Sequence, residues 1–153
     1  MLNTKAKYGL KALQALASRG SEGIWMPTVD IARDDNIPVK FLEGILLDLK
    51  NHGIVHSRRG PGGGYALAKK PEAIIVGDII RILNGPLAPV PCVSQTAYGR
   101  CPECVDERTC GVRLIMKEVR DAMSEVLDNT TLADLVTRVR EASGVGEAFI
   151  YYI

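Results

Sequence analysis

The stretch "GIVHSRRGPGGGYALAKKP", residues 53–71, constrains the chain most. Apolar and polar residues alternate on both sides of a glycine-rich centre, over residues 54–58 and 65–68. Period-two alternation marks a half-buried strand, and two such runs around a glycine loop form a hairpin. Glycines at 60, 62, 63 and 64 let the loop adopt positive φ and come close to another surface.

Helical spacing surrounds this hairpin. Residues 3–20 repeat Tyr8, Leu10, Leu13 and Ala17, with Ala12 and Leu16, at three- and four-residue steps. Asn3 or Thr4 can cap this helix, and Gly20 ends it. A connector follows, with a short extended piece at residues 24–26. Thr28 caps a second, short helix to about Asp35, with Ile31 and Ala32 inward. "NIP" is a tight turn, and Pro38 suits the first position of a third helix, where a missing N–H costs nothing. That helix runs to Asn51 with Phe41, Leu42, Ile45, Leu46 and Leu49 as its apolar stripe, and Gly53 ends it. Two helices joined by a short turn, the second longer, outline a helix-turn-helix. A further helix at residues 76–83 closes this unit against the first helix.

Charge sharpens the reading. The chain is nearly neutral at +1, yet no acid lies between Leu49 and Pro71, where Lys50, Arg58, Arg59, Lys69, Lys70, His52 and His56 occur. A basic hairpin directly after a helix-turn-helix is a winged helix, with one helix in the major groove of double-stranded DNA and the wing at an adjacent groove or phosphates. His52 and His56 are expected at phosphates or in solvent, Trp25 in the core or against the wing.

All four cysteines of the 153-residue chain fall in "CVSQTAYGRCPECVDERTC", spaced C-x8-C-x2-C-x5-C. The N-terminus has no signal-peptide pattern, and no run of about 18 apolar residues occurs that could span a membrane. A cytoplasmic, reducing location is therefore expected, where thiols serve as metal ligands or redox groups more often than as staples. Cys92, Cys101, Cys104 and Cys110 are the candidate ligands. Four thiolates suit an iron–sulfur cluster, [2Fe–2S] or [4Fe–4S], or a structural zinc; Cys101 and Cys104 could also form a thiol–disulfide switch. Cys110 opens the next helix, where the helix field favours a thiolate. The loop offers little apolar surface, so a bound cofactor is expected to order it.

That next helix spans residues 111–127, with Val112, Ile115, Met116, Val119, Met123, Val126 and Leu127 along one side and Arg113, Lys117, Arg120, Asp121 and Glu125 opposite. The stripe exceeds what a small domain needs and reads as a homodimer helix; Met116 and Met123 are packing residues. "NTTLADLVTRVREA" reads as a final capped helix, before an apolar, aromatic tail at 144–153 that could dock on a partner subunit. The division expected is a winged-helix DNA-binding domain at 1–86, a cysteine loop at 87–110, dimerisation helices at 111–143 and the tail. The fold class is mainly α with a small β-hairpin.

"RGPGGGY" at 59–65, with "FLEGILLDLKNHGIV" before it and the cysteine cluster after it, resembles a family of winged-helix regulators. These are the repressors that include the iron–sulfur assembly regulator IscR and the nitric-oxide sensor NsrR. The resemblance runs from "TKAKYGLKAL" to "NTTLADLV". It implies that Lys40 and Glu43 meet base edges, that Arg59 enters the minor groove, and that residues 111–127 dimerise. Thr28, Lys50, Arg58, Gly62 and Gly63 complete the candidate DNA-contacting set. The sequence also departs from the family. Where the assembly regulator has a ligating histidine, three residues after the last cysteine, this chain has Arg113, which stays protonated and cannot ligate. Where the nitric-oxide sensor uses an acid of the first helix, it has Lys7. A fourth cysteine, either Cys92 or Cys101, is expected to complete an all-cysteine ligand set.

The function expected is a dimeric, sequence-specific transcriptional regulator, a repressor, controlled by a cofactor that reports iron, redox or nitric oxide status. An enzyme is not expected. The glycine run precedes a strand rather than a helix, so it cradles no nucleotide phosphate, and no Ser/His/Asp set or paired carboxylates stand out. A cluster-carrying redox protein is the alternative of a different class.

Overall fold

The computed structural model describes residues 2–19 and 24–152, with side chains described to Gly144. The expected stop at Gly20 and the first part of the connector lie outside the described residues. Six α-helices and one hairpin follow in order: α1 Thr4–Arg19, α2 Thr28–Arg33, α3 Val39–Asn51, β1 Val55–Arg58, β2 Gly64–Leu67, α4 Val76–Asn84, α5 Gly111–Asp128 and α6 Leu132–Tyr152. Short 3-10 turns stand at Pro71–Ala73 and Pro91–Val93. The fold is a mainly helical winged helix-turn-helix, as the sequence leads one to expect.

Asn3 caps α1: its Oδ1 accepts the Ala6 N–H at 2.7 Å. Thr28 does not cap α2. It is the first helical residue, and Pro27 holds the cap position at φ −60°, ψ 147° without any side-chain cap bond. The Pro27 carbonyl accepts the N–H of Asp30 at 3.0 Å and of Ile31 at 3.1 Å, which starts the helix one residue earlier than a threonine cap could. α2 stops at Arg33, and Asn36 turns the chain at φ 52°. Pro38 likewise sits in the cap of α3 rather than inside it, its carbonyl accepting the Leu42 N–H at 3.0 Å.

Along α3, Leu42, Ile45, Leu46 and Leu49 are buried, as expected. Phe41 is not: it stays 44% exposed, its ring edge-on to Tyr8 with centroids 5.7 Å apart. The helix ends in a Schellman motif. The Ile54 N–H donates to the Leu49 carbonyl at 2.9 Å and the Gly53 N–H to the Lys50 carbonyl at 3.0 Å, with Gly53 at φ 72°. Glycine is needed there because a Cβ penalises the left-handed conformation. Ile54 is buried in the same core as Leu49, so the motif joins α3 directly to β1.

The main core gathers Ala6, Leu13 and Leu16 of α1, Ile31 of α2, the α3 stripe, Val55, Ile79 and Leu83 of α4, and Leu132 of α6. Each fully buried leucine or isoleucine contributes about 1.5–3 kcal/mol over leaving it in water. Leu132, 1% exposed, brings the chain back from α5 into the core of the winged domain. Its N–H donates to Ile74 O at 2.8 Å, and the Val76 N–H to Thr130 O at 2.9 Å. α6 opens with the expected cap: Thr131 N–H donates to Asp134 Oδ2 at 2.9 Å and Asp134 N–H to Thr131 Oγ1 at 3.1 Å. The bond from the Thr131 backbone holds the Asp134 carboxyl below its ordinary range. The helix then continues through Tyr152. Side chains of the expected docking tail, beyond Gly144, lie outside the described residues.

Candidate nucleic-acid interface and cysteine pocket

Lys40 and Glu43 are exposed and one turn apart on α3, and Lys50 is exposed in its last turn. Thr28 is half-buried at the start of α2. β1 and β2 pair antiparallel, Val55 with Leu67 through Arg58 with Gly64, so the loop at 59–63 forms the wing tip. β2 starts at Gly64, one residue earlier than expected, because Gly64 pairs with Arg58. Arg58, Arg59 and Gly62 are exposed on the wing. Gly63 is buried within the tip, donating its N–H to Gly60 O at 2.9 Å. A Cβ on Gly63 would lie 2.2 Å from the Arg58 carbonyl oxygen, so only glycine closes the loop this tightly. A Cβ on Gly64 would lie 2.2 Å from Met26 O. That approach lets Met26 and Tyr65 exchange two backbone hydrogen bonds, at 2.9 and 2.8 Å, which make the expected extended piece a third rung of the wing. Trp25, beside this rung, is half-buried.

Two residues of this region were not singled out from the sequence. Val29 and Val39 are exposed and border a shallow recess of about 450 Å³ with Arg33 and Asn36. An apolar side chain at the front of α3 looks like core in a one-dimensional pattern, so nothing in its spacing betrays its exposure.

The four cysteines are free thiols and all line one pocket of about 420 Å³. Its walls include Val90, Pro91, Pro102 and Val112. Cys110 stands at the N-cap of α5, where the sequence places it. Among the described residues, no three His, Cys, Asp or Glu side chains converge on a common metal position. The Cys101 thiol donates to Glu103 Oε2 at 2.7 Å; that bond pushes the thiol pKa up and the carboxyl down. Arg113 Nε is buried beside the thiols with no hydrogen-bond partner. Four thiols, apolar walls and an unanswered cationic donor fit a thiolate-held group of net negative charge, which describes both a cluster and a four-thiolate zinc.

The pocket is fastened to α5 at one end. Arg120 Nη1 donates to Val93 O at 2.7 Å, and Val93 is buried. The Gly99 N–H donates to Pro91 O at 3.1 Å, and the Tyr98 hydroxyl donates to Glu107 across the loop, which raises the tyrosine pKa.

The apolar stripe of α5 is covered by its own domain along one edge only. Met123 and Leu127 pack against Val76, Ile80 and Leu87, and Met116 is half-buried. Val112, Ile115, Val119 and Val126 stand on exposed positions instead, Val112 at 63% and Val126 at 57%. One apolar stripe thus has an edge covered by its own domain and an edge left bare. Among the described residues, no helix is long and apolar enough to cross a membrane.

A helix-turn-helix continued into a glycine-tipped basic wing defines a winged-helix transcriptional regulator, not an enzyme. The chain belongs to the Rrf2 family, described as iron-dependent transcriptional regulator, whose sequence profile matches residues 2–138. It is 38% identical over 154 residues to the HTH-type transcriptional regulator CymR of Bacillus subtilis, covering 99% of each chain. The solved structure of that protein, the global cysteine regulator of B. subtilis, is similar with a TM-score of 0.74, over 90% of this chain and 97% of the other. The structure of T. potens IscR is similar with a TM-score of 0.71 at 32% identity, over 93% of this chain and 90% of that one.

Proposed function

We propose that the chain is a homodimeric repressor, acting in the cytoplasm, whose grip on its operator is set by an iron–sulfur cluster held by Cys92, Cys101, Cys104 and Cys110. The observation that carries this reading is the gathering of all four thiols on one pocket between the cysteine loop and the first turn of α5. The family's description as iron-dependent supports it. When bound, such a cluster supplies a redox- and nitric-oxide-sensitive centre.

The chain's own residues do the rest. Lys40 and Glu43 meet base edges, Glu43 accepting from a cytosine amino group. Val29 and Val39 offer apolar contact of the kind a thymine methyl takes. Thr28, Lys50 and Arg58 hold phosphates and fix the register. Gly62 and Gly63 bring the wing tip close to the duplex, so that Arg59 enters the minor groove. The bare edge of α5 pairs two copies and places two α3 helices on successive major grooves, roughly 34–36 Å apart. Occupancy of the pocket shifts this spacing only by its differential affinity for the two dimer geometries. A coupling of about 1–3 kcal/mol changes operator affinity by roughly 5- to 150-fold.

The test is purification without oxygen, followed by an absorbance spectrum, iron, sulfide and zinc analysis, and operator titration with and without the bound group. Brown protein whose operator affinity changes on cluster removal is expected. Colourless protein with stoichiometric zinc overturns the cluster.

A second reading is a thiol–disulfide switch between Cys101 and Cys104, which stand as free thiols on the same pocket. Likeness to the oxidized form of Staphylococcus aureus CymR points the same way. Oxidised protein without bound metal, carrying that disulfide in a mass spectrum, distinguishes it.

A further inference from the structure

We propose that Arg113 is a positioning residue of the cysteine pocket, its Nε–H reserved for a negatively charged sulfur of whatever group the thiolates hold. Arg113 Nε is the buried side-chain nitrogen that finds no hydrogen-bond partner among the described residues. A buried donor left unanswered costs about 1–3 kcal/mol, and more when it is charged. A fold keeps such a donor where a partner arrives later. Glu103, the acidic side chain on the same pocket, is bonded to the Cys101 thiol and not to Arg113 Nε.

Geometry agrees. Cys110 is the N-cap of α5, and Arg113 follows one turn on. Side chains on a helix lean over the turn N-terminal to their own Cα, which carries the guanidinium back over the Cys110 turn and into the pocket. A guanidinium suits this position because it stays protonated, is weakly hydrated and presents donors in a fixed plane. The inference rests on a thiolate-held group occupying the pocket, and it concerns that group's charge rather than its identity.

The test uses the full-length chain and Arg113→Leu, Arg113→Gln and Arg113→Lys. Each is loaded without oxygen with iron and sulfide, and separately with zinc. Two quantities are read: the midpoint potential of the cluster in a dithionite titration, and the half-time of zinc loss to a chelator. Adding an electron increases the negative charge beside Arg113, so removing the cation disfavours reduction. Arg113→Leu and Arg113→Gln are expected to shift the one-electron equilibrium about tenfold toward the oxidised form, ~59 mV for a one-electron couple. Zinc is expected to leave both variants about tenfold faster, the scale of one hydrogen bond to a charged group. Arg113→Lys restores part of both effects.

Stability of the unloaded protein separates this from a scaffolding role. Unloaded Arg113→Leu is expected to be at least as stable as wild type, because an unanswered buried donor is gone. Unchanged potential and unchanged zinc half-time overturn the assignment, as does a variant that is merely less stable when unloaded. Wild type that takes up zinc but no cluster refutes the cluster reading, and the zinc half-times then decide Arg113 alone. Wild type that retains neither overturns both.

Discussion

Arg81 and Asp128 meet through two parallel hydrogen bonds, Nη1 to Oδ1 at 2.7 Å and Nη2 to Oδ2 at 2.8 Å. The pair joins α4 of the winged domain to the last turn of α5. Arg81 also reaches Asp78 at 3.3 Å. Hydrogen bonding to Asp128 raises the Arg81 pKa, and hydrogen bonding to Arg81 holds the Asp128 carboxyl below its ordinary range.

Asp128→Asn is expected to destabilise the protein at neutral pH. The side chains are 27% and 38% exposed, so solvent screening limits the loss to about 1 kcal/mol or less. A carboxyl whose folded pKa is depressed contributes fully above the unfolded carboxylate range, and the contribution fades as pH falls through the folded pKa. Urea unfolding of wild type and variant should therefore differ near neutrality and converge in acid.

Gly77 makes room for this pair. A Cβ there would stand 2.1 Å from Asp128 Oδ1 and 3.1 Å from Arg81 Nη1. Gly77→Ala alone should displace the carboxylate and lose stability. In an Asp128→Ala background the same change should gain up to about 1 kcal/mol, the helix preference of alanine over glycine. A double-mutant cycle by chemical denaturation measures the reversal.

On the wing, Gly63→Ala collides with the Arg58 carbonyl, which is backbone and cannot swing aside. It should weaken operator binding while the helical circular dichroism stays unchanged. Arg59→Ala should weaken binding too, without touching dimerisation. Arg58→Ala, which removes a proposed phosphate contact, should lower the slope of log affinity against log salt by about 0.9. Titrations at several salt concentrations report both effects.

Val119→Asp places a charge on the bare edge of α5 without disturbing Met123 or Leu127 on the covered edge. A folded monomer is expected by analytical ultracentrifugation, melting below the dimer because the stabilisation from association is lost. Retained dimers would move the subunit contact elsewhere.

Cys104→Ala removes one thiol from the shared pocket. Loss of bound iron or zinc, with melting of the metal-free protein unchanged, is expected. Full metal retention would remove Cys104 from the ligand set.

The hairpin and the helices that precede it were legible because their signals are local. Alternation around Gly60–Gly64 placed the strands to within one residue, and the Leu42–Leu49 spacing marked the buried face of α3. Cap positions were less so: Thr28 and Pro38 each follow a familiar rule, but Pro27 and Pro38 supply cap carbonyls that the rule does not weigh. The packing of α4 on α1 was legible from their apolar stripes, but individual polar partners distant along the chain were not. Arg81 and Asp128 lie 47 residues apart, and no local pattern links them. The apolar residues of α5 announced an apolar helix without saying which of them its own domain would cover. The cysteine spacing announced a thiol site, while Arg113 entered as a polar-face residue unable to ligate; its buried Nε depends on the packing of the loop against α5.

The Leu49–Ile54 junction has a mechanical consequence. The residues that finish the reading helix also begin the wing, and both are bolted into one core. Helix and wing therefore swing as a single tool head. In the proposed dimer, a signal from the thiols would then act by moving the two heads relative to one another and not by reshaping either one.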